Sequence, residues 1–261
     1  MIPLLKVEGL GIDFGGLRAV DDLSFAIPSG RIYSIIGPNG AGKTTLFNMI
    51  SGLYRPSRGR IFFAGADVTS LAPHQLAARG LSRTFQNLQV FMHMTALENV
   101  MVGRHLHEQM STLAHLLALP SVGRQNRATA ATARALLTFV GLAAHADRPA
   151  AALPYAALKR LEVARALASE PKLLLLDEPA AGCNSAETHE IERLIRDIAA
   201  REVTVALVEH SMKLVMGVSD HILVLNYGRR LAEGTAEEVR SNPDVIAAYL
   251  GPHARREPAD A

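Results

Sequence analysis

The sequence lacks several features that would place it in particular classes of protein. It has no Trp and only 5% aromatic residues, which argues against an aromatic platform for sugars or single-stranded nucleic acid. Its one cysteine, Cys183, excludes an internal disulfide framework and suits a reducing compartment. Its net charge of +2 is too small to indicate nucleic-acid binding, and we expect no nucleic-acid partner.

Features that direct a chain to or through a membrane are missing too. The N-terminal residues show no basic segment followed by an apolar one, so we predict no signal peptide. No apolar run reaches the ~18 residues that a membrane-spanning helix needs. We therefore expect any role at a membrane to be exerted through partner subunits.

What the sequence does contain indicates an α/β protein. Its 261 residues, 49% of them hydrophobic, suffice for one large α/β domain or two small ones. Residues 1–36 alternate like short strands, and helix and strand alternate again from Lys159 onward, which predicts a parallel sheet covered by helices.

A stretch of different composition interrupts this pattern. Between about residues 87 and 152 Gly becomes rare and Ala, Leu, His and Gln dominate, which is typical of helices. We predict a helical insertion here, with a break at the Pro-Ser-Val-Gly of residues 120–123. The polar, Pro-containing last ten residues, 252–261, predict a frayed tail.

A glycine-rich loop carries the strongest chemical signal. The stretch "GPNGAGKT" fits G-x-x-x-x-G-K-[ST] in full, follows an apolar strand and opens a helix. Its glycines allow successive N–H groups to converge on one anion, and the helix points its positive end at that anion. Lys43 can reach the β- and γ-phosphates, and the Thr44 hydroxyl can ligate Mg²⁺. We therefore assign the binding of nucleotide phosphates to Gly37, Pro38, Asn39, Gly40, Ala41, Gly42, Lys43, Thr44 and Thr45.

Five further residues are candidates for the same site. Asp177 and Glu178 end the apolar strand "KLLLLDEP", at the edge where open α/β sheets bind ligands. Asp177 suits a Mg²⁺-side carboxylate and Glu178 could polarise an attacking water, although two solvated acids are the alternative. His210 is a candidate γ-phosphate contact or a structural histidine. Gln86 is a candidate Mg²⁺ or water contact or a surface glutamine, and Phe14 stacks on adenine or belongs to the core.

These elements in this order resemble the nucleotide-binding subunit of an ABC transporter over about residues 4–251. In that resemblance "GPNGAGKT" is Walker A, Gln86 the Q-loop, "LLLLDE" Walker B and His210 the switch histidine, while Asn184 stands where many relatives carry Asp. Stretches such as "FGGLRAVDDLSF", "DEPAAGCN" and "VEHSMKLVMGVSDHILVLNYGRRLAEGTAEEVRSNPDVIAAYLG" resemble the branch that serves bacterial high-affinity branched-chain amino acid importers.

The resemblance implies a fold and a set of partners. The fold would be a P-loop, RecA-like parallel-sheet core with an N-terminal antiparallel β subdomain and an inserted α-helical subdomain. One domain would cover residues 1–251, with the core at 1–86 and 159–251 and the helical part at about 87–158. The partners would be a second ABC ATPase paired head to tail, two membrane permeases and, indirectly, a periplasmic solute-binding protein. The chain would lie peripherally on the cytoplasmic face of the bacterial inner membrane.

One segment departs from the family's pattern. The signature, which usually reads like L-S-x-G-x-Q, is here "LPYAAL", residues 153–158. Pro154 replaces a hydroxyl and lacks an N–H, Ala156 replaces the glycine that lets backbone approach phosphate, and Leu158 replaces a glutamine. The same changes suit the start of a helix. Each missing phosphate contact would cost roughly 2.7–4 kcal/mol of transition-state stabilisation, by analogy with an oxyanion-hole donor.

Head-to-tail pairing would place this altered signature against the partner's nucleotide. We therefore hypothesise a heterodimer with one efficient site and one slow site. A regulatory subunit that binds ATP with little turnover is an alternative, and a soluble ABC ATPase without a transport role is another. The stretch "LQVFMHMTALENV" after Gln86 is our candidate lining for a permease groove, although ordinary packing explains any single residue of it equally well.

Overall fold

Two β-sheets and nine helices organise the part of the chain that a computed structural model describes, residues 3–107 and 120–250. The strands are β1 (Leu5–Phe14), β2 (Leu17–Ile27), β3 (Ile32–Ile36), β4 (Arg58–Phe63), β5 (Ala66–Asp67), β6 (Leu81–Arg83), β7 (Leu173–Asp177), β8 (Thr204–Val208), β9 (His221–Asn226) and β10 (Arg229–Gly234). The helices are α1 (Lys43–Ile50), α2 (Pro73–Ala77), α3 (Ala96–Gly103), α4 (Pro120–Phe139), α5 (Tyr155–Leu167), α6 (Ser185–Ala199), α7 (Met212–Val218), α8 (Ala236–Ser241) and α9 (Pro243–Leu250).

The two sheets have the predicted characters. One is antiparallel in the order β2-β1-β4-β5, and the other has the order β10-β9-β3-β8-β7-β6. Strands β9, β3, β8, β7 and β6 pair in parallel. The α/β fold class with an N-terminal antiparallel subdomain, a parallel core and a helical part is therefore confirmed.

The parallel sheet is buried on both faces because alternate residues of its strands point into different cores. In β7, Leu173 and Leu175 share a core with Phe47 of α1 and with the antiparallel sheet. Leu174 and Leu176 face the other way and share a core with Leu161 of α5. The carboxyl end of β7, which carries the two candidate acids, is held firmly from both sides.

Strand β10 was missed by the sequence reasoning. It pairs antiparallel with β9 through a two-residue turn, in which Tyr227 and Gly228 both have left-handed backbone angles (φ 47° and 75°). Such turns normally carry Asn or Gly at the first position, so "NYGR" gave no strong hairpin signal.

The helical part differs from expectation at one point. Pro120 to Gly123 form the first turn of α4, so the predicted break there is wrong. Proline lacks the N–H that the first helical turn leaves unbonded anyway, and so it begins a helix without penalty. Residues 108–119, which carry the predicted helical stretch "LAHLLAL", lie outside the described residues, and so does the predicted tail. The expected boundary near residue 158 falls inside α5.

In the described ranges, no helix has the length and apolar character needed to cross a bilayer.

Candidate functional site: a phosphate-binding loop and an acidic strand end

The glycine-rich loop joins β3 to α1 in a conformation that depends on its glycines. A Cβ on Gly37 would clash with the carbonyl oxygen of Leu225. Gly42 has a left-handed φ of 99°, and a Cβ there would lie 2.6 Å from the carbonyl oxygen of Ala19. Because both neighbours are backbone atoms that cannot move aside, the loop can take this shape only with glycine at these two positions.

Lys43 lies beneath the loop as the first residue of α1. Its ammonium donates to the carbonyl oxygens of Gly37 at 2.7 Å and Pro38 at 3.0 Å, and the side chain is buried. Burial lowers the pKa of Lys43, and the nearby Glu178 and Asp177 oppose that shift. The loop therefore holds a cation ready where a phosphate group would arrive.

Three predicted catalytic residues meet at one carboxylate. Nε2 of His210 lies 2.7 Å from Oε1 of Glu178, and Nε2 of Gln86 donates to Oε2 at 3.2 Å. These residues follow the carboxyl ends of β8, β7 and β6, which are neighbours in the sheet. Glu178 has a left-handed φ of 51°, and its N–H donates to the carbonyl of Val208 at 2.8 Å. Such strain in a non-glycine residue is typical of functional sites.

A further acid, Glu209, was missed by the sequence reasoning. Its buried carboxylate accepts the N–H groups of Ala180 at 2.8 Å, His210 at 2.9 Å and Ser211 at 3.3 Å. It thereby fixes the backbone on which the His210 ring is mounted. An acid directly before the candidate histidine was the only signal available in the sequence.

The Asp177 carboxylate fits a Mg²⁺ ligand. Asp177 is 1% exposed, its Oδ2 accepts from Arg83 at 2.8 Å, and its Oδ1 is buried without a hydrogen-bond partner. A buried anionic oxygen left free needs a partner, and Mg²⁺ prefers oxygen ligands. The Thr44 hydroxyl and the Gln86 amide oxygen are oxygen ligands of the same kind, and both residues line the cleft described next.

A cleft of about 360 Å³ lies over the loop. Most of the predicted residues line it, together with Leu17, Arg18, Ala19 and Tyr227, which sequence reasoning missed. The predicted lining residues are Asn39, Gly40, Ala41, Gly42, Lys43, Thr44, Thr45, Gln86, Glu178 and His210. Gly37 and Pro38 act from behind the loop through their carbonyl groups.

Phe14 is not among the residues that line this cleft. Its half-exposed ring packs edge-on against Tyr54, with a centroid distance of 5.4 Å. Leu17 and Tyr227 do line the cleft, and both side chains are strongly exposed. A role of Phe14 at adenine therefore stays a prediction.

The altered signature begins α5 as its helix-start chemistry predicts. Pro154 is the N-cap, and its carbonyl accepts the N–H of Leu158 at 3.0 Å. Ala156 and Leu158 are buried, whereas Tyr155 is 47% exposed. The Tyr155 ring packs against Gly182, the residue before Cys183.

Asn184 has a local structural role. Its side chain accepts the N–H groups of Ala186 at 2.9 Å and Glu187 at 3.0 Å, while the Glu187 carboxylate accepts the N–H of Asn184 at 2.8 Å. This capping box begins α6. An asparagine caps a helix as well as an aspartate does, so the departure from the family's Asp costs no helix stability.

The loop, the acidic strand end, the histidine and the helical part between them define an ABC-type ATPase, and the comparisons with known proteins agree. The family described as "ABC transporter" matches residues 20–181, and "Branched-chain amino acid ATP-binding cassette transporter" matches residues 229–251. The chain belongs to the ATP-binding proteins of ABC transporters, which are ATPases.

Two curated relatives show the branch. The chain is 46% identical over 250 residues to the high-affinity branched-chain amino acid transport ATP-binding protein BraF of Pseudomonas aeruginosa, covering 95% of this chain and 98% of BraF. It is 45% identical to the protein LivG of Escherichia coli, which carries the same description, with the same coverage. The resemblance to this branch is confirmed.

Solved structures show the same fold. A nucleotide-free ATP-binding cassette from an ABC transporter is 32% identical with a TM-score of 0.83, covering 96% of this chain and all of that one. An ATP-binding cassette described as a dimer bound to ADP and phosphate is 23% identical with a TM-score of 0.75, covering 89% and 98%.

Proposed function

We propose that this chain hydrolyses ATP to power the import of branched-chain amino acids or related small solutes. The observation that carries the proposal is the Glu178 carboxylate, which His210 and Gln86 hold beside a complete phosphate-binding loop. The names of the relatives BraF and LivG support the choice of solute.

The geometry supports hydrolysis of the terminal phosphate. The loop amides and Lys43 would bind the phosphates, and Glu178 would accept a proton from the attacking water. Because Glu178 Oε1 already contacts Nε2 of His210, the histidine can orient this carboxylate and reach the γ-phosphate from the same edge. General-base assistance of this kind contributes ~10²–10⁴-fold in rate.

Mg²⁺ would be held by Thr44, Asp177 and Gln86. When bound, it neutralises charge on the β- and γ-phosphates. The free Oδ1 of Asp177 supports this ligand set.

The proposal also includes the partner proteins. A second ABC ATPase, the same or different, would pair head to tail, and two permeases would dock at the cytoplasmic face of the inner membrane. Phe91, Met92 and Met94 support a docking groove because all three are exposed, whereas Val100 of the same stretch is buried in the core. A periplasmic solute-binding protein would deliver the solute.

We expect the two composite sites to be unequal in a heterodimer. The residues of this chain's own loop would build the efficient site, and its residues 153–158 would complete the slow one. To test this, Glu178→Gln would be compared with the equivalent change in the partner, in the assembled transporter. Equal residual ATPase activity from the two variants would contradict the asymmetry.

The whole proposal is tested by ATPase activity and uptake of radiolabelled leucine in proteoliposomes. We expect Glu178→Gln to abolish most of both, while Glu190→Gln, which changes a half-exposed acid on α6, leaves both intact. ATP binding without single-turnover hydrolysis by the wild type would instead favour the regulatory subunit. Hydrolysis that no permease or solute affects would favour an ATPase outside transport.

A further inference from the structure

Arg83 lies between the phosphate-loop helix and the acidic strand end. It ends β6, and its side chain is only 6% exposed. One terminal nitrogen donates to Asn48 at 2.7 Å and Ser51 at 2.8 Å, both on or just after α1. The other donates to Oδ2 of Asp177 at 2.8 Å. One guanidinium therefore joins three elements of the nucleotide site.

Two aromatic rings pack against this guanidinium. Its central carbon lies 5.6 Å from the ring centroid of Phe47 and 5.1 Å from that of Phe85. An arginine is held by such contacts and by its planar fork of donors, which a lysine cannot reproduce. The direction from which Arg83 meets Asp177 is therefore set before any ligand arrives.

The charge of Arg83 matters because of what surrounds Asp177. Asp177 and Glu178 are adjacent and both buried, and Glu178 lines the cleft in which, on the proposed function, the phosphates of ATP would bind. Two further cations, Lys43 and Lys159, donate to carbonyl groups, Lys43 to those of the loop and Lys159 to those of Gln86 and Glu178. Without Arg83 the buried Asp177 would face more negative charge with no ion-pair partner, which is strongly unfavourable.

We propose that Arg83 is a positioning residue, the resident counter-ion of Asp177. It occupies Oδ2 and leaves Oδ1, which has no hydrogen-bond partner, as the oxygen that would be free to bind Mg²⁺. It also supplies positive charge to Asp177 in the metal-free state, so that the site tolerates ATP without Mg²⁺. This inference rests on the proposed binding of ATP and Mg²⁺. It states that Arg83 determines how strongly ATP binding depends on the metal.

The test measures ATP affinity by calorimetry, with excess EDTA and with Mg²⁺, on the purified chain. For Arg83→Met we expect metal-free affinity to fall at least ~10-fold, because an uncompensated charge now faces the phosphates. We expect a smaller loss with Mg²⁺, whose charge replaces that of the arginine. The ratio of the dissociation constant in EDTA to the dissociation constant with Mg²⁺ therefore rises. Arg83→Lys should keep the ratio near that of the wild type, because it keeps the charge.

Two further variants separate charge from packing. Asn48→Leu removes one anchor of Arg83 but no charge, so we expect its ratio to match the wild type. In an Asp177→Asn background there is no carboxylate to compensate, so adding Arg83→Met should no longer change metal-free affinity. The double variant, Asp177→Asn with Arg83→Met, removes both charges, so it keeps the test valid if Arg83→Met alone folds poorly.

Each outcome has one reading. An unchanged or lower ratio in Arg83→Met, or an equal loss in the Asp177→Asn background, overturns the counter-ion role and leaves the proposed function standing. A wild type that binds ATP in neither buffer overturns the proposed function itself. A raised ratio that vanishes with Asp177→Asn supports the inference.

Discussion

Asp21 on β2 receives three guanidinium groups. Arg58 donates to it at 2.6 Å, Arg229 at 2.9 Å and Arg18 at 3.2 Å. Hydrogen bonds from Arg229 and Arg18 hold the pKa of Asp21 below its ordinary value of 3.8, although desolvation opposes them. The cluster joins β2 to β4 and to the turn that carries Tyr227, and so it fixes one wall of the cleft.

We predict that Asp21→Asn lowers thermal stability at pH 7 and that the difference shrinks in acid. An acid whose pKa is lowered by folding stabilises the native state above its ordinary pKa. That contribution is lost as the pH falls from about 4 through the lowered value. Melting temperatures of the wild type and Asp21→Asn at pH 7 and pH 3 check this. The exposed neighbour Asp22 gives the control, Asp22→Asn, and an equal loss in both variants would contradict the prediction.

At the scale of residues, the sequence identified those that belong to a short motif or directly follow a recognisable strand. Lys43 and Thr44 are recognisable because they belong to an eight-residue motif, Gly37 to Thr44, and Glu178 because an apolar strand runs into it. Arg83 was not recognisable, since its partner Asp177 is 94 residues away. Glu209 was missed because a buried acid that binds backbone N–H groups follows no sequence period.

At the scale of elements, helix α5 shows where periodicity fails. Its sequence reads as an ordinary amphipathic helix, yet Lys159 and Glu162 are 3% and 2% exposed. Both face the segment that carries Gln86. Nζ of Lys159 lies 3.4 Å from the carbonyl oxygens of Gln86 and Glu178, and Glu162 accepts the N–H groups of Phe85 at 3.3 Å and Gln89 at 3.4 Å. A pattern that assigns charged residues to solvent cannot predict these contacts.

We predict that Glu162→Leu loosens this segment without lowering the overall melting temperature. Burial raises the pKa of Glu162, so the ionised carboxylate costs free energy in the folded protein at neutral pH. The stability that the protonated carboxyl contributes is lost as the pH rises through this raised pKa. The amides of Phe85 and Gln89 should exchange hydrogen about tenfold faster, which corresponds to about 1.4 kcal/mol. Hydrogen exchange with mass spectrometry measures this. Glu190→Leu, which removes an ion pair to Arg160 on the same helix, is the matched control.

The start of α5 allows a second prediction for an element. Restoring the family's pattern with Pro154→Ser and Ala156→Gly should raise the ATPase rate of the site that this helix completes, because a hydroxyl and close backbone approach return. Glycine in the first turn should lower stability by about 1 kcal/mol. Steady-state ATPase assays and thermal melts of the double variant test both effects together. A lower melting temperature without a higher ATPase rate would mean that residues 153–158 do not contact nucleotide.

At the scale of the whole molecule, the phosphate loop and the signature segment, residues 153–158, do not meet within the chain. None of residues 153–158 lines the cleft over the phosphate loop, although Tyr155 among them is exposed. Hydrolysis by a single chain would thus lack whatever the signature segment supplies. A second copy or a related chain, turned head to tail, would bring the missing half to each cleft.

This division predicts that association depends on bound ATP. In Glu178→Gln, which keeps the loop and Lys43 but should not turn ATP over, we expect Mg²⁺ and ATP to shift the chain from monomer toward dimer. ADP should not, because the γ-phosphate is what the opposing signature would touch. Sedimentation velocity with ATP, ADP and no nucleotide distinguishes these cases. Lys43→Met, which loses the phosphate contact, is the control and should stay monomeric throughout. If Glu178→Gln also stays monomeric with ATP, while the related second ATPase pairs with it under the same conditions, then residues 153–158 are too altered to close on their own copy and the working assembly is the heterodimer.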